Sequence, residues 1–107
     1  MKYTLSITTN RKRYPVKYSV LVKRIQNTSM NIYELLMEAN RTNISTAKSE
    51  RLELQTKAIT ACDELSCYVE VSLDFEIIGD NTVEHWQKQI NDIKYMSISW
   101  RSKDKTR

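Results

Sequence analysis

The sequence predicts an all-α protein, an up-down antiparallel bundle of three long helices with the chain before them reduced to a short N-terminal arm. Apolar residues recur at spacings of three and four over most of the chain, which is the period of an amphipathic helix. The 107 residues include only one Gly and one Pro, too few for the tight turns of a β-sandwich or barrel. This length corresponds to a single domain.

Residues 1–13 form the predicted arm. Tyr3, Leu5 and Ile7 alternate with polar residues, a period of two that favours a short strand. A single strand has nothing to pair with in this chain. We therefore expect residues 1–13 to be a basic arm, either a short strand or a flexible segment.

The first long helix is expected to begin near Pro15, because proline suits the first helical turn. Its apolar or small residues follow a repeating 4-3 spacing: Tyr18, Val22, Ile25, Ser29, Ile32, Leu36 and Ala39. Residues 40–45, which are polar apart from Ile44, predict the end of this helix and a turn. Ser45 or Thr46 is the expected N-cap of the next helix.

The second helix, predicted over residues 47–77, carries two adjacent apolar stripes. One consists of Leu54, Ala58, Ala61, Leu65, Tyr68, Ser72 and Phe75; the other consists of Leu52, Ile59, Cys62, Val69 and Leu73. Such a broad face is typical of the central helix of a bundle. Three helices of this kind leave apolar surface exposed, so we expect copies of the chain to assemble into a homo-oligomer.

Gly79-Asp80-Asn81 predicts the second turn, with Gly79 as a left-handed C-terminal cap and Asn81 or Thr82 as the next N-cap. The third helix follows the same spacing: Val83, Trp86, Ile90, Ile93, Ser97 and Trp100. The bundle domain is therefore predicted to span residues 14–101. The polar, basic residues 102–107 are expected to be a flexible tail.

Residues suited to catalysis or metal binding are few. His85 is the only histidine, and neither C-x-x-C nor H-x-x-x-H occurs, so we predict no metal site and no cofactor. An enzyme built around Cys67 is the weakest alternative, because no base is evident beside it. We expect a non-catalytic protein. The absence of a secretory signal or a long apolar run predicts a cytoplasmic protein without membrane contact.

Basic residues are concentrated towards the two ends of the sequence. Residues 1–24 contain seven basic and no acidic residues, residues 25–93 contain five basic and twelve acidic, and residues 94–107 contain five basic and one acidic. This distribution favours two interpretations. Either the chain binds a polyanion, or copies of it meet through opposite charge.

The up-down path brings the turn at 40–45 and the C-terminal stretch to one end of the bundle, the better candidate for an external polyanion. The arm at the other end has acidic neighbours in its own chain: Asp74, Glu76, Asp80 and Glu84. The candidate nucleic-acid-binding residues are Arg11, Lys12, Arg13, Lys17, Arg41, Lys48, Arg51, Lys94, Arg101, Lys103, Lys105 and Arg107.

Several stretches, taken in order, resemble one known family: Arg13-Tyr14-Pro15-Val16-Lys17-Tyr18, Glu38-Ala39-Asn40, Arg51-Leu52-Glu53-Leu54-Gln55 with Ala58-Ile59, and Ile93 to Trp100 followed by Arg101-Ser102-Lys103-Asp104. This four-helix-bundle family unites the accessory variability determinant (Avd) of diversity-generating retroelements with proteins encoded in 23S rRNA intervening sequences. Its members usually have a further helix before the Tyr-Pro motif, where this chain has thirteen residues.

The resemblance implies a ring-like homopentamer with a basic surface. In the retroelement branch, the protein is not itself an enzyme. It binds the retroelement's reverse transcriptase and template RNA, and it supports mutagenic cDNA synthesis. The alternative is a structural or interaction bundle of the intervening-sequence type without a retroelement role. In that alternative, the basic arm clamps the acidic middle of the next copy.

Overall fold

The computed structural model describes residues 2–9 and 16–107, and these are helical apart from short turns. The helices are α1 (Lys2–Thr9), α2 (Ser19–Arg41), α3 (Lys48–Asp74) and α4 (Asp80–Lys105), with a 3-10 turn at Val16–Tyr18 before α2. Short connections reverse the chain between the long helices, and α3 packs against both α2 and α4. The predicted helical bundle with a central second long helix is confirmed.

The core follows the stripes that the sequence predicts. Its largest fully buried apolar side chains come from all three long helices: Ile25 and Ile32 of α2, Leu65 and Val69 of α3, and Trp86 and Ile90 of α4. Ala58 and Ala61 are also buried, and their small side chains let the backbones of neighbouring helices come close. Because α3 buries side chains towards two neighbours, it needs the double stripe seen in its sequence.

The strand proposed within residues 1–13 is wrong, because Lys2–Thr9 form α1. Thr4, Ile7 and Thr8 are buried together, and their spacing of three and four residues places them on one helical face. Trp86 Nε1 donates a hydrogen bond of 2.9 Å to Thr4 Oγ1. Burial against a large aromatic ring outweighs the weak β preference of the local sequence. Arg11, Lys12 and Arg13 lie outside the described residues.

Neither turn is capped as expected. Ala47 precedes α3 and no side chain caps that helix, so Ser45 and Thr46 are not its N-caps. The Asn43 side chain shapes this turn instead, since its Oδ1 accepts a 2.7 Å hydrogen bond from the backbone N–H of Ser45.

After α3, the left-handed residue is Glu76, with φ 57°, whereas Gly79 is extended and stands at the N-cap of α4. Ile77 N–H donates to Ser72 O and Glu76 N–H donates to Leu73 O, the two bonds of a Schellman motif. This motif ends α3 at Asp74, three residues earlier than predicted. Phe75 therefore lies beyond the helix and is exposed rather than part of the apolar stripe.

Helix α4 continues to Lys105, past the boundary predicted at residue 101. Residues 102–105 are therefore part of the bundle, and the expectation of a flexible tail from 102 onwards is wrong for them. Asp104, within this last turn, is completely buried. Because this stretch is polar overall, its composition did not indicate that Asp104 faces inward.

Candidate nucleic-acid interface

The end of α2, the start of α3 and the end of α4 meet at one end of the bundle, as the up-down path predicts. We call this the basic end, after the residues gathered there: Arg41, Lys48, Arg51, Arg101, Lys103, Lys105 and Arg107. Lys48 Nζ donates hydrogen bonds of 2.9 and 2.7 Å to the carbonyl oxygens of Lys105 and Arg107. A cation from α3 thus caps the C-terminal carbonyls of α4, where the helix dipole favours positive charge.

Asp104 is the centre of a buried polar cluster at the basic end. Its Oδ2 accepts 2.7 Å hydrogen bonds from Arg51 Nε and from Gln55 Nε2. Burial raises the pKa of Asp104, but the hydrogen bonds from Arg51 and Gln55, together with the positive charge of Arg51, outweigh that effect and hold its pKa below the ordinary value. The carboxylate therefore stays charged inside the bundle.

Arg51 is committed to this cluster and is not an outward cation. Its Nη1 donates to Thr42 O at 3.1 Å, and its guanidinium lies 4.9 Å from the centre of the Trp100 ring. Arg51 therefore joins α3 to the end of α2 and to α4, and Lys48 joins α3 to the C-terminal residues that end and follow α4. The structure brings both to the expected end of the bundle, but their contacts there are internal.

Two other candidate cations lie away from the basic end. Lys94 pairs with Asp63 at 2.7 Å midway along the bundle, and its pKa is raised, first by that hydrogen bond. Lys17 lies near the start of α2, at the opposite end, with its Nζ 5.1 Å from the centre of the Tyr18 ring. The twelve candidate residues therefore do not form one continuous site, and those at 11–13 lie outside the described residues.

The outer surface between α3 and α4 holds a groove of about 490 Å³ at the basic end. We call it the basic groove; it is lined by Thr56, Ile59, Ile98, Arg101, Ser102 and Lys105. None of these six lining residues is acidic. The only carboxylate in the last turn of α4 is that of Asp104, which points into the core, so the groove presents positive charge and hydroxyl groups on an apolar base.

Arg101 is held across this groove by α3. Its Nε donates a 2.7 Å hydrogen bond to Thr56 Oγ1 and a longer one, of 3.4 Å, to Leu52 O. Thr56 Oγ1 itself donates to Leu52 O at 3.0 Å. Thr56 thus orients the guanidinium. The sequence does not show this role, because Thr56 and Arg101 are 45 residues apart in the chain.

A second, apolar groove lies between α2 and α4. We call it the α2–α4 groove; it has a volume of about 180 Å³ and is lined by Ser29, Ile32, Tyr33, Leu36, Ile93 and Met96. Tyr33 and Met96 are 55% and 61% exposed. Nearer the start of α4, α1 bridges the same two helices: Gln26 Nε2 donates to Thr8 Oγ1, and Tyr3 packs edge-on against Trp86. The α2–α4 groove is thus open, whereas the same side of the bundle is covered by α1 near the start of α4.

His85 and the two thiols have no catalytic arrangement around them in the described part of the chain. His85 is exposed and contacts Gln89 and, in a T-shaped arrangement, the Tyr3 ring. Cys62 is buried, and burial, with a smaller effect of Asp63, raises its pKa to about 11. Cys67 is exposed. Residues 2–9 and 16–107 contain no group of three His, Cys, Asp or Glu side chains that could hold a metal ion.

None of the helices in the described ranges combines the length and apolar composition that crossing a bilayer requires. Comparison of the chain with family models, curated proteins and solved structures gave no significant match. Membership of the Avd and intervening-sequence family therefore stays a prediction from the quoted motifs. Two of those motifs meet in space, because Arg51 belongs to one while Asp104 and Trp100 belong to another.

Asp104 and Gln55, the buried acceptor and one of its donors, are the residues that sequence reasoning missed. Asp104 continues the α4 stripe, at spacings of three and four after Ser97 and Trp100. A stripe defined by position rather than by polarity would have included it. Gln55 likewise fills the vacant position of the second α3 stripe, three residues after Leu52 and four before Ile59, although its partner lies 49 residues away in the chain.

Proposed function

We propose that this chain is an oligomeric helical bundle that binds RNA and acts as a non-catalytic accessory protein beside a reverse transcriptase. The observation that carries the RNA-binding part is the basic end, where two cations, Arg101 and Lys105, line a groove without a carboxylate among its lining residues. The reverse transcriptase, its template RNA and the role in mutagenic cDNA synthesis rest on the family resemblance.

The charges of the basic end suit a phosphate backbone. Lys103, Lys105 and Arg107 are exposed, while Asp104, the acidic residue between them in the sequence, is buried against Arg51. The exposed carboxylates at this end, Glu38, Glu50 and Glu53, lie on α2 and α3 and do not line the basic groove. Cations that neutralise phosphates release condensed counterions, so we expect affinity to fall steeply with salt. The short hydroxyl and cationic side chains of this end offer contacts to sugar and phosphate, and we therefore expect weak sequence specificity.

Self-association is proposed through the α2–α4 groove and the exposed side of α2 beside it. Lys23 and Arg24 lie in the first half of α2, whereas Glu34 and Glu38 lie in its second half. Met30, between them, is 46% exposed. In an antiparallel contact between two α2 helices around Met30, each basic half faces an acidic half, and the apolar residues between them leave water.

RNA binding is tested by fluorescence anisotropy with a structured RNA at salt concentrations from about 50 to 200 mM. We expect the logarithm of the affinity to fall linearly with the logarithm of the salt concentration. Changing Lys103 and Lys105 to Glu is expected to weaken binding at least about tenfold, because two cations of the basic end are replaced by carboxylates that repel phosphate.

The matched control changes Lys57 and Lys88, both exposed and neither of them lining the basic groove, to Glu. This variant has the same net charge as the first. Equal losses of RNA affinity in the two variants would show that binding depends on net charge and not on the basic end. Wild-type binding no stronger than that of an acidic control protein would contradict the proposal.

The intervening-sequence alternative predicts a different result for the arm. If Arg11, Lys12 and Arg13 only clamp the next copy, changing all three to Glu abolishes assembly. If they contact RNA, the same change weakens RNA binding while assembly persists. The reverse transcriptase partner is tested by co-purification with the enzyme encoded next to this chain, and the absence of any such neighbouring gene would count against it.

A further inference from the structure

We infer that the basic groove is a channel for one RNA strand, in which Arg101 and Lys105 ligate consecutive backbone phosphates. This inference rests on the proposed function and deepens it, since it assigns the contact to the outer surface between α3 and α4. The remaining exposed cations of the basic end then contribute only general electrostatic attraction.

The positions of the two cations support this assignment. Arg101 and Lys105 are four residues apart on α4, so their side chains leave the same face of the helix, with Cβ atoms about 6 Å apart. Lys103 lies between them in sequence, but two residues along a helix turn its side chain about 200° away from either neighbour. The helix therefore separates two groove cations from a third cation of the same segment.

The orientation of Arg101 supports a phosphate ligand in particular. Its Nε is occupied by Thr56 and by the carbonyl of Leu52. Within the described chain, Nη1 and Nη2 of Arg101 make no hydrogen bond, so four N–H groups remain for an external acceptor. A guanidinium held at Nε presents these donors as a planar fork, the geometry that binds a phosphate through two parallel hydrogen bonds.

The remaining lining fits the sugar between two phosphates. Ile59 and Ile98 form the apolar base, and Ile98 is 39% exposed. The hydroxyl of Ser102, an exposed residue, lies beside them as a further donor and acceptor for the backbone or a ribose 2′-OH. Towards the middle of the bundle, the Lys94–Asp63 pair places a carboxylate on this surface.

The decisive comparison is between Lys105→Glu and Lys103→Glu, measured with a single-stranded RNA oligonucleotide. Both variants change net charge equally and lie in the same turn of α4. We expect Lys105→Glu to lower affinity about tenfold and to reduce the slope of log affinity against log salt by about 0.7, the value for one phosphate contact in a single strand. Lys103→Glu should lower affinity less than about threefold, because it changes only the general potential.

A second variant tests the groove without changing any charge. Thr56→Val keeps the shape of the side chain but removes the hydroxyl that orients Arg101, so we expect weaker binding at constant net charge. Thr56→Ser keeps the hydroxyl and should bind as the wild type does. Circular dichroism checks that each variant is folded, and the Thr56 pair decides the matter if Lys105→Glu fails to fold.

Each failure has its own signature. Equal effects of Lys103→Glu and Lys105→Glu, or an unchanged Thr56→Val, would overturn the groove while leaving the proposed RNA binding intact. If the wild-type protein binds no RNA at low salt, both the groove assignment and the proposed RNA binding are contradicted. Polyglutamate that displaces the oligonucleotide as well as polyphosphate does, at equal charge, would overturn the phosphate assignment and favour an acidic peptide ligand.

Discussion

Asp104 occupies a position that the stripe of α4 assigns to the core, and a charged side chain there needs partners. Arg51 and Gln55 supply them, and the guanidinium of Arg51 in turn lies against the Trp100 ring. Removing one member of a buried ion pair leaves the other charge buried without a partner, which lowers the free energy of unfolding far more than losing an exposed pair does. The last turn of α4 is therefore held to the start of α3 by this cluster.

We expect Asp104→Asn to lower the free energy of unfolding at neutral pH by about 3 kcal/mol, because Arg51 loses its buried counter-charge. Urea unfolding followed by circular dichroism measures this loss. The matched control is Asp63→Asn, which removes the exposed partner of Lys94 and should cost much less. Equal losses in the two variants would contradict the central role of Asp104.

The same cluster sets a pH dependence. Since the folded-state pKa of Asp104 is lowered from 3.8, its contribution is complete above that ordinary value. The contribution disappears as pH falls through the lowered folded-state pKa, where the carboxylate takes up a proton. Wild-type unfolding experiments at a series of acidic pH values should therefore show a stability loss that Asp104→Asn largely lacks.

At the scale of single elements, α1 shows how a short segment gains its structure from what it covers. An isolated helix of eight residues is marginal in water, and the β-like composition of this segment weakens it further. Thr4, Ile7 and Thr8 are nevertheless buried, and the indole of Trp86, only 1% exposed, donates to Thr4. α1 therefore covers Trp86 and contacts both α2 and α4 near the start of α4.

Deleting residues 2–9 is expected to expose Trp86 to water. In a Trp100→Phe background, where Trp86 is the only indole, its fluorescence maximum should shift to the red and an aqueous quencher should reach it. The same deletion in a Trp86→Phe background is the control, because Trp100 lies at the opposite end of α4 and should report no change. An unshifted Trp86 spectrum would mean that α1 does not cover this residue in solution.

For the whole molecule, the two sides of the bundle differ in character. The basic groove lies on the outer surface between α3 and α4, whereas the α2–α4 groove is apolar and sits beside the mixed charges of α2. The two surfaces share no lining residue. Self-association through the α2–α4 groove therefore leaves the basic groove free, and each added copy in a ring would multiply the number of phosphate contacts.

We expect Lys23→Glu with Arg24→Glu to reduce the size of the assembly measured by light scattering at micromolar concentration. These changes place like charges opposite each other in the proposed antiparallel contact. Adding Glu34→Lys and Glu38→Lys to the same chain should restore assembly, because the complementarity is then reversed rather than lost. Lys57→Glu with Lys88→Glu is the charge-matched control. Wild-type protein that is a single copy at this concentration would contradict self-association altogether.

The long helices and their buried faces were predictable from the sequence because a helix repeats its contacts locally. Val22, Ile25, Ser29 and Ile32 sit on one side of α2 whatever lies next to them, since 3.6 residues make a turn. Charge segregation was also readable, because net charge depends only on which residues are present. The sequence also predicted that the 40–45 turn and the C-terminal stretch lie at the same end of the bundle, because three helices on an up-down path place them there.

Only the tertiary structure decided which partners the buried polar residues have and which cations remain available. Arg51, Lys105 and Lys48 look equivalent in the sequence, yet Arg51 is bound to Asp104 from 53 residues away and Lys48 caps α4. α1 likewise became a helix because Trp86, far along the chain, is there to be covered. Hydrogen bonds and burial between distant segments depend on distances that no local pattern contains, so these features could be decided only by packing the helices together.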